Sequence, residues 1–383
     1  GPLKNGEAYA FGESSIAIGN SANAGANGAL ALGDQARAGF VENFTGNNGE
    51  ENERANGTYH RGNYAVAIGT SSNASSTNSI AIGHQANASG GDGITYKTGT
   101  IGNTKYYTIF ADNAVALGTD ANAFSPNSIA VGASTRTGFK VTSEPGPGET
   151  NWLGGVKNES FEIIANNAIA IGAKSNAFAS GSVVLGENAS AGWIEEYKGF
   201  EGNITYNEDG TIKDITNNNG DSIKGTVEAR ANGTYFYDAK DAIAIGKSTN
   251  AVDSYSIAIG TSSVANKERS LALGYQAKAT GKQSLAVGDS SEATATYAIA
   301  IGCQAAATGD QSIAIGRETK AFGQGIAIGL QAKVIEDTQS GIAIGDSANA
   351  GASNAFAIGA NAEALGAQSV AIGHQAKARG QAA

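Results

Sequence analysis

The stretch Asp241-Ala-Ile-Ala-Ile-Gly246 decides the fold, because close copies of it follow at a constant spacing. It returns as Ser256-Ile-Ala-Ile-Gly260 and again as Ser270-Leu-Ala-Leu-Gly274. The glycines that close these segments advance by the same fourteen-residue step five times in succession, at positions 246, 260, 274, 288, 302 and 316. A short apolar segment with a fixed period is typical of a solenoid in which each turn is one repeat. The sequence therefore predicts a repeat protein that is not organised around a catalytic centre.

The same repeat extends through most of the chain. Glycine pairs with this spacing occur at positions 19 and 33, 69 and 83, 118 and 132, and 172 and 186. After position 316 the repeat glycines are at 329, 345, 359 and 373, which brings the number of recognisable turns to 18. A second, weaker element of the form Ala-x-Ala-x-Gly lies between the repeat glycines, as in Ala277-Lys-Ala-Thr-Gly281. We predict one domain over residues 1–383, with a β-roll from about residue 8 to residue 380.

Each turn is expected to contain two short strands. The period-two rule places Ile257 and Ile259 on one face of the first strand and Ala258 on the other. We predict that the isoleucines fill the interior against alanines of the second strand. That assignment leaves an outward ladder of Ser, Ala and Gly on the first strand. The outward face of the second strand, with residues such as Lys278, reads as a solvated surface.

The outward ladder of small residues is predicted to be a subunit interface. Two buried aliphatic side chains per turn stabilise less than the ordering of a whole repeat costs, so a single slim roll needs a partner. An uncharged face of small residues lets another chain approach closely. The predicted interface residues of the homo-oligomer are Ala258, Ala272, Ala286, Ala300 and Ala314.

Composition excludes several classes of function. The net charge of -10 argues against a nucleic-acid partner, since such proteins concentrate Lys and Arg on one face. The single cysteine, Cys303, cannot form an intrachain disulfide, and its place after a repeat glycine predicts a surface turn. His60, His84 and His374 are not spaced as metal ligands, and we predict neither a metal nor a cofactor. The opening Gly-Pro-Leu and the absence of Met suggest a piece of a longer protein behind a cloning remnant.

Four longer steps between repeat glycines interrupt the period, from position 33 to 69, 83 to 118, 132 to 172 and 186 to 246. They predict insertions at about residues 40–63, 91–112, 139–166 and 193–240. All four begin just after the second strand, at Gly39, Gly90, Gly138 and Gly192, and should leave the roll from the same edge. Insertions on one face of a solenoid are often its binding surface. Residues 94–110 and 203–215 are predicted to form β-hairpins.

Aromatic residues in the insertions are the candidate ligand-binding residues, because exposed aromatics are frequent anchors of interfaces. The alternative is that they form small cores within each hairpin or dock on a neighbouring subunit. The candidates are Trp152, Trp193, Tyr197, Tyr206, Tyr235, Tyr237, Tyr106 and Tyr107.

The repeat Ser-Ile-Ala-Ile-Gly followed by Ala-x-Ala-x-Gly resembles the YadA-type head of trimeric autotransporter adhesins. The resemblance covers the roll from about Ala8 to Gly380, apart from the insertions. It implies an all-β, left-handed parallel β-roll solenoid with three parallel chains around one axis. It also implies a stalk and a membrane anchor outside this sequence, display at the bacterial cell surface beyond the outer membrane, and no catalytic residues or cofactors.

The function that this resemblance implies is adhesion. The expected partners are host extracellular matrix, a host cell-surface protein or glycan, or other bacteria, bound multivalently through the roll surface and the insertions. The sequence leaves one alternative of a different class open, a trimeric β-helical enzyme of the tailspike kind. Such an enzyme would degrade polysaccharide with carboxylates on its outer face.

Overall fold

The computed structural model of the 383-residue chain comprises two compact units. One contains Gly1–Gly192 and Asp238–Ala383 and includes the roll; the other is Trp193–Tyr237, which belongs to the longest insertion. The residues that the structure describes contain strands and turns and no helix. They are residues 7–44, 57–88, 111–141, 161–163, 165–197, 202–206, 212–217, 233–237, 239–335 and 340–382.

One sheet takes a three-residue strand from each of 18 turns, and we call it sheet 1. Its strands are parallel and in register, so that Ile257 lies beside Leu271 and Ala258 beside Ala272 of the next turn. The predicted parallel solenoid with its constant period is thereby confirmed. In chain order the strands are Ile16–Ile18, Leu30–Leu32, Val66–Ile68, Ile80–Ile82, Val115–Leu117, Ile129–Val131, Ile169–Ile171, Val183–Leu185, Ile243–Ile245, Ile257–Ile259, Leu271–Leu273, Leu285–Val287, Ile299–Ile301, Ile313–Ile315, Ile326–Ile328, Ile342–Ile344, Phe356–Ile358 and Val370–Ile372.

The opposite sheet, sheet 2, is built from two-residue strands that are also parallel and in register. Asn87 joins its two parts through bridges to Asn73 and Asn122. The strands are Tyr9–Ala10, Asn23–Ala24, Arg37–Ala38, Asn73–Ala74, Asn122–Ala123, Arg136–Thr137, Asn176–Ala177, Ser190–Ala191, Asn250–Ala251, Val264–Ala265, Lys278–Ala279, Glu292–Ala293, Ala306–Ala307, Lys320–Ala321, Lys333–Val334, Asn349–Ala350, Glu363–Ala364 and Lys377–Ala378.

The repeat glycines stand where sheet 1 turns into sheet 2, along what we call the glycine edge. Gly260 has a φ of +125°, and a Cβ on it would lie 2.3 Å from the carbonyl oxygen of Gly274 on the next turn. Gly274 meets Gly288 in the same way, at 2.4 Å. At Gly373, in the last described turn, a Cβ would meet nothing closer than 3.9 Å. The close stacking of turns, added to the backbone conformation, therefore requires glycine at this position.

Most turns also contain two non-glycine residues in the left-handed conformation. In one repeat these are Ser262, on the glycine edge, and Arg269, with φ values of 59° and 56°. Arg269 lies where sheet 2 returns to sheet 1, along what we call the insertion edge. The backbone N–H of Ser262 donates to Lys247 O at 2.9 Å, and that of Arg269 donates to Ser254 O at 3.1 Å. The left-handed conformation of a non-glycine residue costs free energy in isolation, and these backbone hydrogen bonds to the preceding turn stabilise it.

Alanine methyl groups fill the space between the two sheets. Ala258 from sheet 1 and Ala265 from sheet 2 have no exposed surface. Val184 and Val334 are the largest fully buried side chains among the described residues. Several buried serines bond to the backbone in the interior, as where Ser182 Oγ donates to Ala179 O at 2.6 Å. The core is only about one methyl group deep on each side, and its alanines form two clusters, from Ala22 to Ala130 and from Ala165 to Ala378.

The predicted orientation of sheet 1 is wrong. The five alanines expected to face outward lie in the core with no exposed surface: Ala258, Ala272, Ala286, Ala300 and Ala314. Ile257 and Ile259 alternate with Ala258 and are partly exposed on the outer face. The physical reason is the width of the roll. Short turns join the sheets, and the gap between them has no room for a row of isoleucines opposite the alanines of sheet 2.

Four antiparallel strand pairs lie in the insertions. They are Phe40–Phe44 with Gly57–Arg61, Phe139–Val141 with Phe161–Ile163, Trp193–Tyr197 with Gly233–Tyr237, and Gly202–Tyr206 with Ile212–Asn217. Three of the pairs begin at the residue that follows Gly39, Gly138 or Gly192, the expected points of exit, and the last pair is the hairpin expected at residues 203–215. The exit at Gly90 and the hairpin of residues 94–110 lie outside the described residues.

At one level of the core a valine replaces alanine, and two glycines opposite it make room for the larger side chain. Val334 occupies a sheet 2 position that is alanine in nearly every other turn. Gly325 and Gly341 stand before sheet 1 strands, where other turns have Ser or Ala. A Cβ on Gly325 or Gly341 would lie 2.6 or 2.9 Å from Val334 Cγ1. The larger side chain thus fits because two smaller residues face it.

We expect Gly341→Ala to destabilise the protein by about 1–3 kcal/mol through overpacking. Val334→Ala should also destabilise it, because the lost methyl groups leave a cavity. In the double variant the new methyl group of residue 341 fills part of that cavity, so the two losses should not add. Equilibrium denaturation of the four proteins measures the coupling free energy. Additive losses would contradict the packing described here.

Candidate functional site

The outer side of sheet 1 is an uninterrupted apolar surface, which we call the isoleucine face. Each of the 18 strands contributes its first and third residues, and all of them are Ile, Leu, Val or Phe. Strands about 4.8 Å apart make this face roughly 80 Å long. Near its middle, Ile257 and Ile259 are partly exposed, and Leu273 is exposed on 41% of its surface. Soluble monomers rarely expose a contiguous apolar patch larger than a few hundred Å².

The outer side of sheet 2 is mixed and charged, as predicted, and we call it the charged face. Oppositely charged residues occupy neighbouring turns at two described places on this face. Lys278 Nζ lies 2.8 Å from Glu292 Oε1, and Lys377 Nζ lies 3.2 Å from Glu363 Oε1. These exposed pairs contribute little to stability individually, and they mark a surface that remains in contact with water.

Three tyrosines of the roll lie on the insertion edge in the left-handed conformation. Tyr64, Tyr255 and Tyr297 have φ values of 58°, 59° and 58°, and 66%, 46% and 51% of their surfaces are exposed. Bulky residues seldom adopt this conformation. The sequence interpretation missed them because it looked for aromatic residues only in the insertions. The available signal was Tyr at a position where most other turns have a polar residue such as Asn, Ser, Gln or Arg.

Charged groups surround Tyr255 and Tyr297 on that edge. The guanidinium of Arg269 lies 5.7 Å from the centre of the Tyr255 ring, within cation–π range. Glu268 accepts ion pairs from Arg269 at 3.0 Å and from Lys282 at 2.8 Å. The hydrogen bond from Lys282 is the main reason why the pKa of Glu268 lies below its ordinary value, and the charges of Lys282 and Arg269 act in the same direction. The same bond raises the pKa of Lys282.

The structure brings some of the predicted ligand-binding aromatics together by strand register. Trp193 pairs with Tyr237 and Glu195 with Tyr235, while Tyr197 stands opposite Gly233. Tyr206 belongs to the hairpin of Gly202–Tyr206 and Ile212–Asn217 and pairs with Ile212. Trp152, Tyr106 and Tyr107 lie outside the described residues.

The described residues contain neither a cluster of metal-binding side chains nor a helix that could span a membrane. Within the ranges given above, His, Cys, Asp and Glu side chains do not cluster in groups of three that could hold a metal ion. Cys303 is exposed, as its predicted surface turn requires, and His84 and His374 are exposed as well. A search of the described chain for a helix of sufficient length and apolar character to cross a membrane found none.

Comparison with known families gives one match that recurs along the roll. The sequence model of the YadA head domain repeat matches residues 11–36, 61–86, 74–94, 111–135, 164–189, 238–263, 265–291, 279–305, 293–319, 339–362 and 364–383. No curated protein matches the chain. Nothing in the family match indicates a polysaccharide-degrading enzyme, the alternative that the sequence left open.

The ion pair on the insertion edge makes a prediction about titration. Lys282→Met should raise the pKa of Glu268 toward its ordinary value, whereas Lys278→Met, which removes the partner of Glu292, should leave it unchanged. Because folding lowers this pKa, the contribution of the pair to stability is present above the ordinary value and is lost as pH falls through the lowered one. Carbon NMR of labelled glutamate carboxyls measures the pKa of Glu268 in the wild type and in each variant. The Glu268→Gln variant assigns the resonance. An unchanged Glu268 pKa in Lys282→Met would contradict this explanation.

Proposed function

Because the chain belongs to the YadA head domain repeat family, we propose that it is the adhesive head of a trimeric autotransporter. It attaches a bacterium to host extracellular matrix, to a host cell-surface protein or glycan, or to other bacteria. Proteins of this family are non-enzymatic adhesins exposed at the outer-membrane surface, and their heads form homotrimers. The observation that carries the proposal is the recurrence of the family repeat in 11 segments of this chain.

The isoleucine face supports the trimeric part of the proposal. In one chain its side chains are only partly buried, and no charge interrupts it from Ile16 to Ile372. Parallel copies placed around an axis along the roll would bury this face against itself at every turn. The trimer interface then consists of the first and third residues of the sheet 1 strands, and the alanines between them belong to each chain's own core.

Three substitutions in one repeat separate the roles of its side chains. Ile257→Glu should place a carboxylate at three related positions of the trimer interface and abolish the trimer, since burying an unpaired charge costs several kcal/mol at each. Ala258→Glu should prevent folding of its turn in any oligomeric state. Val264→Glu makes a similar change on the charged face, beside Lys278, and should have no effect. Light scattering gives the mass of each variant, and circular dichroism its content of strand.

The outcome that matters is the contrast between Ile257→Glu and Val264→Glu. Trimers of equal stability in both variants would show that the isoleucine face does not hold the subunits together. A wild-type head that is monomeric at micromolar concentration would contradict the trimer itself.

The longest insertion is the part of the chain that we propose selects a ligand. The roll presents repeated surface, whereas this insertion has its own strand pairs and a concentration of aromatic residues. The roll does not depend on it for continuity. Val183 pairs directly with Ile243 in sheet 1, and Ser190 pairs with Asn250 in sheet 2, across the point of insertion.

Deletion of residues 193–238 tests this proposal, since it returns Gly186 and Gly246 to the regular spacing of the repeat. The trimer should remain folded, and adhesion of cells that display the complete surface protein should fall substantially. Deletion of residues 40–61, which restores the same spacing between Gly33 and Gly69, is the matched control and should preserve most adhesion.

Full adhesion after deletion of residues 193–238 would move the binding site to the roll. The double variant Tyr255→Asn and Tyr297→Asn then tests the insertion edge. Asparagine occupies the same left-handed position at Asn78 and Asn127, so the substitution relieves strain while it removes aromatic surface. Reduced adhesion with undiminished stability would place the ligand there.

A further inference from the structure

Two lysines on the charged face are stacked on neighbouring turns, and no described carboxylate occupies the same position of that face beside them. Lys320 pairs in register with Lys333. The flanking residues on the same face are Ala306 and Asn349, so neither neighbouring turn places a carboxylate at the paired position. Within the described part of the chain, neither lysine forms an ion pair. Like charges directly opposite each other on a sheet are destabilising.

Other lysines on this face show that the roll can avoid such a pair. Lys278 is beside Glu292, and Lys377 is beside Glu363, with bridges of 2.8 and 3.2 Å. The Lys320–Lys333 pair departs from this pattern, and the described residues form no ion pair with either lysine that would offset the repulsion. Unfavourable local arrangements of this kind concentrate at functional sites.

The two lysines also border a surface depression. Gln304, Glu318, Lys320, Gln331 and Lys333 line a space of about 490 Å³. That volume lies within the roughly 300–1,000 Å³ range typical of small-ligand sites. The three non-lysine residues are the left-handed residues of successive turns on the glycine edge, which fixes their backbone positions.

The one carboxylate in this depression is already engaged. Glu318 Oε2 accepts from Gln331 Nε2 at 2.7 Å, and Arg317 Nε lies 3.0 Å from Glu318 Oε1. With Arg317 included, the cluster has three cationic groups and one anionic group, in a chain whose net charge is -10. The site is therefore a local positive surface that offers ammonium groups together with amide donors and acceptors.

We infer that this depression binds an acidic saccharide through one carboxylate or sulfate group held between Lys320 and Lys333. Two lysines at paired positions on strands one spacing apart can both direct their ammonium groups to a single anionic group with several oxygens. The amides of Gln304 and Gln331 suit the hydroxyls of the sugar ring, and the depression has room for the ring. The inference rests on the proposed adhesive function and assigns a ligand class to one surface of the head.

The binding test uses the complete 383-residue head and three hexasaccharides: one sulfated, one carboxylated and one uncharged. Titration calorimetry should detect binding of at least one acidic hexasaccharide and none of the uncharged one. The double variant Lys320→Gln and Lys333→Gln should weaken that binding about tenfold or more. The difference between the two acidic probes identifies which anionic group the site prefers.

The matched control is the double variant Lys278→Gln and Lys377→Gln. It removes the same charge from the same face but only from lysines that already have glutamate partners, so it should leave the affinity nearly unchanged. A second test keeps both lysines and supplies the missing partner. Ala306→Glu should pair with Lys320 as Glu292 pairs with Lys278, and should weaken binding.

Stability gives an independent readout, because removing one of two repelling charges relieves the repulsion. Lys320→Gln should be at least as stable as the wild type, whereas Lys278→Gln should not gain stability. If Lys278→Gln with Lys377→Gln lost as much binding as Lys320→Gln with Lys333→Gln, net charge alone would explain the loss, and the inference would be overturned. Binding to neither acidic hexasaccharide, or equally lysine-dependent binding to a DNA hexanucleotide, would also overturn it. Adhesion that survives Lys320→Gln and Lys333→Gln in displaying cells would leave the proposed function intact while the saccharide site fails.

Discussion

The narrow gap between the two sheets is the constraint on which the rest of the structure depends. A gap that admits little more than one methyl group from each side requires alanine at the inner positions of both sheets. The larger aliphatic residues of sheet 1 must then lie outside. The apolar surface that a globular domain would place in its own core becomes an exposed strip, and its burial requires other chains. The proposed trimer would in this sense be a consequence of the width of the roll.

The period of the repeat was enough to predict the number of turns, the parallel pairing and the points at which three of the insertions leave the roll. It could not orient sheet 1. Alternation separates Ile257 and Ile259 from Ala258, but either set can face inward until the distance between the sheets is known. That distance depends on how tightly each turn closes, which is a three-dimensional property of stacked glycines such as Gly260 and Gly274. The interface residues predicted from the sequence therefore fell on the core side of the strand.

Other features had signals in the sequence that a search for repeats alone overlooks. Val334 replaces alanine at the same level of the core where Gly325 and Gly341 replace Ser or Ala. The larger residue and the two smaller ones together keep the total side-chain volume of that level nearly constant. The tyrosines of the insertion edge occupy positions whose backbone N–H bonds to the preceding turn and whose side chain stays outside the core. Because these side chains do not enter the core, Asn, Gln, Ser, Arg and Tyr all occur there without a change in the fold. The roll can thus vary its surface chemistry independently of its core.

The direction of the hydrogen bonds between turns has a mechanical consequence. Strands of both sheets bond to the turn before and the turn after, so these bonds lie along the axis of the roll. A tensile force along that axis loads all the bonds between two neighbouring turns together, and they can fail only as a group. A force applied to the strand of a terminal turn instead detaches that turn bond by bond. The roll should therefore resist pulling along its length far better than peeling from one end.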